Sequence, residues 1–161
     1  MDRRDFIAGA AAATAGVAAP AAAGGEHHHR RTIDGSWFGT VTATNPPLGQ
    51  FSDLISFHAG GVVTESRRYS VPATPFGALL ETTGHGAWKR TGARTHEAFF
   101  RFLLQQADTG APIGTDNVRL RLTLDGSGRV LTGTFESQIK DLADAVIFTV
   151  TGDYSATRID V

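Results

Sequence analysis

The chain has no cysteine among its 161 residues, which excludes disulfides, thiolate metal ligands, a cysteine nucleophile and a lipoprotein anchor on cysteine. Its stability has to come from packing. It also lacks a surplus of either charge. Fifteen Lys and Arg stand against sixteen Asp and Glu, a formal net charge of -1, so there is no basic excess for nucleic acid. No nucleophile elbow, phosphate loop, dinucleotide fingerprint or metalloprotease motif occurs, and nothing in the sequence implies a cofactor. The one extended run of small apolar residues, up to Ala23, is built from Ala and Gly, too short and too weakly hydrophobic for a permanent membrane span. What remains is 41% hydrophobic and 19% charged, the range of an ordinary globular chain long enough to close one core.

Arg3-Arg4-Asp5-Phe6-Ile7, followed by the Ala/Gly stretch and the small residues Ala21-Ala22-Ala23, resembles the bacterial twin-arginine export signal. The resemblance implies that residues 1–23 are a signal peptide. Arg3 and Arg4 would be read by the twin-arginine export machinery, a signal peptidase would cut near Ala23, and the mature protein would be periplasmic or extracellular. Residues 24–34 read as a flexible polar linker. Its His27-His28-His29 is taken as solubilising rather than metal-binding, because adjacent side chains rarely converge on one ion and no acidic partners lie nearby. No metal site is expected elsewhere.

Residues 35–161 form the folded domain. Short runs rich in Val, Ile, Leu, Phe and Thr are separated by Gly, Pro, Asp and Asn, the pattern of strands rather than helices. Eight runs are expected: 36–43, 51–57, 62–69, 87–91, 97–104, 117–124, 130–140 and 145–159. Val118, Leu120, Leu122 and Leu124 alternate with Arg119, Arg121 and Thr123, a strand with one face in a core and one in water. The connections alternate as well. Residues 58–61, 92–94 and 125–128 are tight turns, whereas 44–50, 70–86 and 105–116 are long. In an antiparallel up-and-down meander successive connections fall at opposite ends, so the pattern predicts an all-β, eight-stranded barrel with a closed base and a looped mouth.

Gly35-Ser36-Trp37 opens the first strand and resembles the Gly-x-Trp motif of lipocalins and the wider calycin superfamily. The resemblance implies that Trp37 plugs the barrel base and that an Arg of the last strand, here Arg158, packs across its ring. More closely, the chain is similar to small lipocalin-like bacterial proteins of undefined function. It implies an exported binding protein that holds a small, largely apolar ligand. The alternative is an isomerase or cyclase resembling allene oxide cyclase, acting on an apolar substrate inside the barrel. A buried, convergent polar group in the interior would favour the enzyme, and a uniformly apolar interior the carrier.

The expected ligand site lies at the mouth, under a lid formed by 70–86. Trp88, Tyr69, Phe102, Leu104 and Phe148 would line it, with His85 as polar partner and weak catalytic candidate. His58 and His96 fall at the closed base, where structural roles are expected. Asp53 shares its parity with Phe51, Ile55 and Phe57, which offers either a perturbed interior carboxylate or a solvated one with Leu54 facing the core. The solvated reading is preferred.

Overall fold

The computed structural model describes residues 32–67, 70–74 and 77–160. Its strands are β1 (Gly35–Asn45), β2 (Gly49–His58), β3 (Val62–Arg67), β4 (Ser70–Thr74), β5 (Gly77–Glu81), β6 (Gly84–Arg90), β7 (Thr95–Gln106), β8 (Pro112–Leu124), β9 (Val130–Asp141) and β10 (Val146–Arg158). All pairings are antiparallel, and there is no helix among the described residues. Strands β1, β2, β3, β6, β7, β8, β9 and β10 close on one another. The ring is the expected eight-stranded up-and-down barrel, an architecture compatible with a lipocalin-like fold.

The segment 70–86, expected as a lid loop, is instead mostly strand. β4 and β5 form a hairpin, and β5 runs on into the line of β6 along the same neighbour, β7. The reason lies in β7, which reaches beyond β6 and presents backbone groups at Leu104–Gln106 that need partners. Leu79, Leu80 and Glu81 supply them. β4 therefore stands outside the closed ring.

Alternation along the strands decides what fills the barrel. Trp37, Val41 and Ala43 of β1, Ile55 and Phe57 of β2, Phe100 and Phe102 of β7, and Val118, Leu120, Leu122 and Leu124 of β8 point inward, forming the main core with Leu131, Phe135, Tyr154 and Ala156. A smaller apolar cluster of Leu79, Leu104 and Ile139, flanked by Ile113 and Phe148, lies at the mouth end.

The base is closed as the Gly-x-Trp motif implied. Trp37 is fully buried, and the Arg158 guanidinium lies over its ring, 4.3 Å from the centroid. Arg158 also donates to the carbonyls of Gly128 (2.8 Å), Asp34 (2.6 Å) and Thr32 (2.5 Å), while Trp37 Nε1 donates to the Ile33 carbonyl at 2.9 Å. These bonds and the complete burial of Ile33 start the packed domain ahead of the expected boundary at 35. The export signal, the histidine tract and the rest of the linker lie outside the described residues.

Candidate functional site

Polar side chains occupy inward positions on five of the barrel's strands and on β5, between the main core and the apolar cluster at the mouth. On β3 the alternation that buries Val63 carries on to Glu65 and Arg67. On β2 it buries Asp53 beside Ile55, on β5 it buries Glu81 beside Leu79, and on β8 it puts Asp116 in line with Val118. β9 adds Ser137 and β10 adds Tyr154. The preferred expectation for Asp53 is thus overturned. It is 4% exposed and Leu54 is 51% exposed, because the β2 register keeps the Phe51, Ile55 and Phe57 face inward and carries Asp53 with it.

Two arrangements make up the cluster. In the first, Arg67 Nε and Nη2 grip both oxygens of Glu81 (2.6 and 2.7 Å), and Nη2 also reaches Asp116 Oδ2 at 2.6 Å. Ser137 donates to the other Asp116 oxygen at 2.7 Å, and the guanidinium lies 4.3 Å from the Phe102 ring centroid. Burial alone would lower the Arg67 pKa, but Glu81 and Asp116 reverse that and hold it more firmly protonated. Nε and Nη2 of Arg67, both oxygens of Glu81 and both oxygens of Asp116 thus have partners within the cluster.

The second arrangement is not satisfied. The Asp53 and Glu65 carboxyls are hydrogen bonded to each other, and the Tyr154 hydroxyl donates to Asp53 Oδ1 at 3.3 Å. A hydrogen bond between two carboxyls requires a proton between them. Burial pushes both groups above the usual carboxylate range, Glu65 to about 9 and Asp53 to about 6. For Glu65 the Arg67 charge works against the rise and Asp53 adds to it, whereas for Asp53 the bonds from Glu65 and Tyr154 limit it. The proton therefore belongs to Glu65, and Asp53 is the carboxylate. Glu65 Oε2, on a residue 2% exposed, has no hydrogen-bond partner. Gly39 makes the pairing possible, since a Cβ there would collide with Asp53 Oδ1 and the Tyr154 hydroxyl.

The residues expected at the mouth divide. Phe102 and Leu104 are buried in the upper interior, the former against Arg67, and Phe148 is half-buried beside both apolar clusters. Trp88 is at the opposite end. Its Nε1 donates to the carbonyl of His58 in the base turn at 3.0 Å, and its ring meets Phe57 edge-on with centroids 6.0 Å apart. The displacement follows from β4 and β5: the fourth wall of the barrel begins well before residue 87, which carries Trp88 down to the base. His85 has the outward parity of β6, is exposed, and pairs in register with Thr64 and Arg101 on the outer wall. Tyr69 lies outside the described residues. His96 is buried at the base beside Trp88, with burial first and then Arg90 lowering its pKa.

Glu65, Arg67, Glu81, Asp116 and Ser137 were not among the expected site residues. The signal that could have found them is their parity, each being a polar residue on the inward phase of an alternating strand. Comparison with family models, with curated proteins and with solved structures gives no match for this chain.

Proposed function

We propose that this chain is an exported barrel that performs acid–base chemistry, an isomerisation or cyclisation, on a small and largely apolar molecule held in its upper half. The observation that carries this reading is a buried Glu65 that has one oxygen without a partner and is hydrogen bonded to the Asp53 carboxyl. A protonated acid next to an ionised one is a proton relay. A substrate proton passes to Glu65 Oε2 as the proton of Glu65 passes to Asp53, and the reverse relay returns a proton to a different atom of the same molecule. Nothing is consumed and the product is an isomer.

The surroundings support the reading. Asp53 and Glu65 are themselves buried, in an interior that also holds Phe102, Leu104 and Ile139, and an Asp53 raised toward neutral pH is a stronger base than an exposed aspartate. Buried acids with pKa values driven apart also belong more often to working sites than to scaffolding, since apolar residues of similar volume would stabilise a fold at least as well. Export rests on Arg3-Arg4 and the cleavage-type residues before Gly24.

The test is to incubate the mature protein in deuterated water with an extract of small molecules from the producing cells, and to search by mass spectrometry for isomers that gain deuterium at carbon. Wild type should form at least one. Glu65→Gln, which keeps the size and an acceptor oxygen but cannot pass a proton on, should lose about a hundredfold or more of that rate. A compound that instead co-purifies unchanged with wild type and Glu65→Gln alike would establish a carrier and overturn the enzymatic reading.

A further inference from the structure

The acid pair also says what kind of head group it accepts. The proton of Glu65 is committed to Asp53, so Glu65 Oε2 is a bare acceptor and its missing partner must be a donor. A ligand carbonyl, ether or carboxylate would bring a second acceptor to it and be rejected. Charge then selects among donors. Asp53, Glu65, Glu81 and Asp116 converge in the interior, and Arg67 is the only cation among the described side chains of the cluster. Nε and Nη2 of its guanidinium are engaged by Glu81 and Asp116. The shared proton neutralises one member of the other pair, which leaves three buried carboxylates against the single charge of Arg67, and Asp53 is offset only in part by that charge, by the long bond from Tyr154 and by the proton of Glu65. An excess of buried carboxylate charge is costly, and a second cation beside it recovers part of that cost where a neutral hydroxyl does not. Among the described residues no group of three or more His, Asp or Glu side chains is placed to hold a metal ion, so the cation that fits is organic.

We propose that the ligand carries a basic nitrogen: a protonated amine on an apolar body, donating N–H to Glu65 Oε2 beside the Asp53 carboxylate, with its hydrocarbon part against Phe102 and the Leu104, Ile139 and Phe148 cluster. This rests on the acid pair being the ligand site, and not on turnover there. In the relay, the ammonium proton moves to Glu65 as the Glu65 proton moves to Asp53. The freed lone pair can add to an electrophilic carbon of the same molecule, and the stored proton then returns to the product.

The experiment uses n-hexylamine, n-hexanol and hexanoate as probes of equal chain length, titrated calorimetrically into the mature protein near pH 7. Hexylamine should bind saturably, about tenfold or more tighter than hexanol, and hexanoate should not bind. Asp53→Asn should erase the preference for the amine, and Glu65→Leu should weaken amine binding because the acceptor is gone. Glu65→Gln should retain it, since the amide keeps a free oxygen while donating to Asp53, and this separates binding from the relay tested above. Equal affinity for hexylamine and hexanol, retention of the amine by Asp53→Asn, or no saturable binding by any probe would overturn the proposal. Loss of turnover in Glu65→Gln with amine binding intact would leave it standing.

Discussion

At the scale of single residues, Glu65 ties stability to pH in an unusual direction for an acid. Its proton stays on in the folded protein to a pH well above the value at which the unfolded chain releases it. Between those values the folded state binds more protons than the unfolded state, so stability falls as pH rises from about 5 toward about 9. Asp53, raised less, contributes over the lower part of that window, and Arg67, Glu81 and Tyr154 are the other titratable groups facing the pair. Thermal unfolding of wild type should lose midpoint steadily across this range, and Glu65→Gln should flatten most of the slope. An unchanged slope in the variant would show that Glu65 is not the group holding the proton. Gly35 makes a different residue-scale prediction. It adopts a φ of +128°, and a methyl group there would lie 2.7 Å from Arg158 Nη1. Gly35→Ala should therefore cost about 1–3 kcal/mol in urea unfolding from strain alone, whereas Trp37→Ala, which empties the base, should cost about 3–5 kcal/mol.

At the scale of elements, Arg67 joins β3 to β5 and β8 through two buried carboxylates, so it holds the end of the β4–β5 hairpin to the barrel wall. Arg67→Met should destabilise by about 3–5 kcal/mol, because Glu81 and Asp116 would be left charged and unpaired. Adding Glu81→Leu and Asp116→Leu should recover most of that loss in the same urea titration, and a triple variant as unstable as the single one would show that the triad is more than a neutral exchange for apolar packing. The strands themselves were readable because alternation and turn chemistry act over a few residues: β7, β8, β9 and β10 fall close to the expected runs. The fourth wall was misread because Gly77–Glu81 is too short to show a period of its own, and it becomes strand only when β7 overhangs it. Misplacing that wall moved Trp88 from base to mouth. The acid pair was half legible. Asp53 shows its inward parity in sequence, but its partner Glu65 lies on the adjacent strand, and only the β2–β3 register, which sets Ile55 opposite Glu65 and Asp53 opposite Arg67, brings the carboxyls together.

At the scale of the whole molecule, the barrel closes by joining its first and last strands, and the fastener is local to the base. Trp37 and Arg158 are direct partners in the β1–β10 register, and Arg158 also binds the carbonyls of Thr32 and Asp34 just before β1. Among the described residues, the packed unit therefore includes the short segment just ahead of β1. The remaining walls join neighbours in sequence except β3 and β6, which are separated only by the β4–β5 hairpin, and with no cysteine the fold needs no oxidising compartment to mature. Such a domain can close in the cytoplasm, which agrees with the proposed twin-arginine signal, one that fits a cargo already folded. Changing Arg3 and Arg4 together to Lys should leave a full-length precursor in the cytoplasm, its barrel intact by circular dichroism and resistant to protease, while wild type yields a shorter form outside, cut near Ala23. If the double variant is exported and processed at normal yield, the paired arginines are not the signal. If the trapped precursor is instead unfolded, closure of the barrel depends on the destination compartment, and the argument from its cysteine-free, locally connected architecture fails.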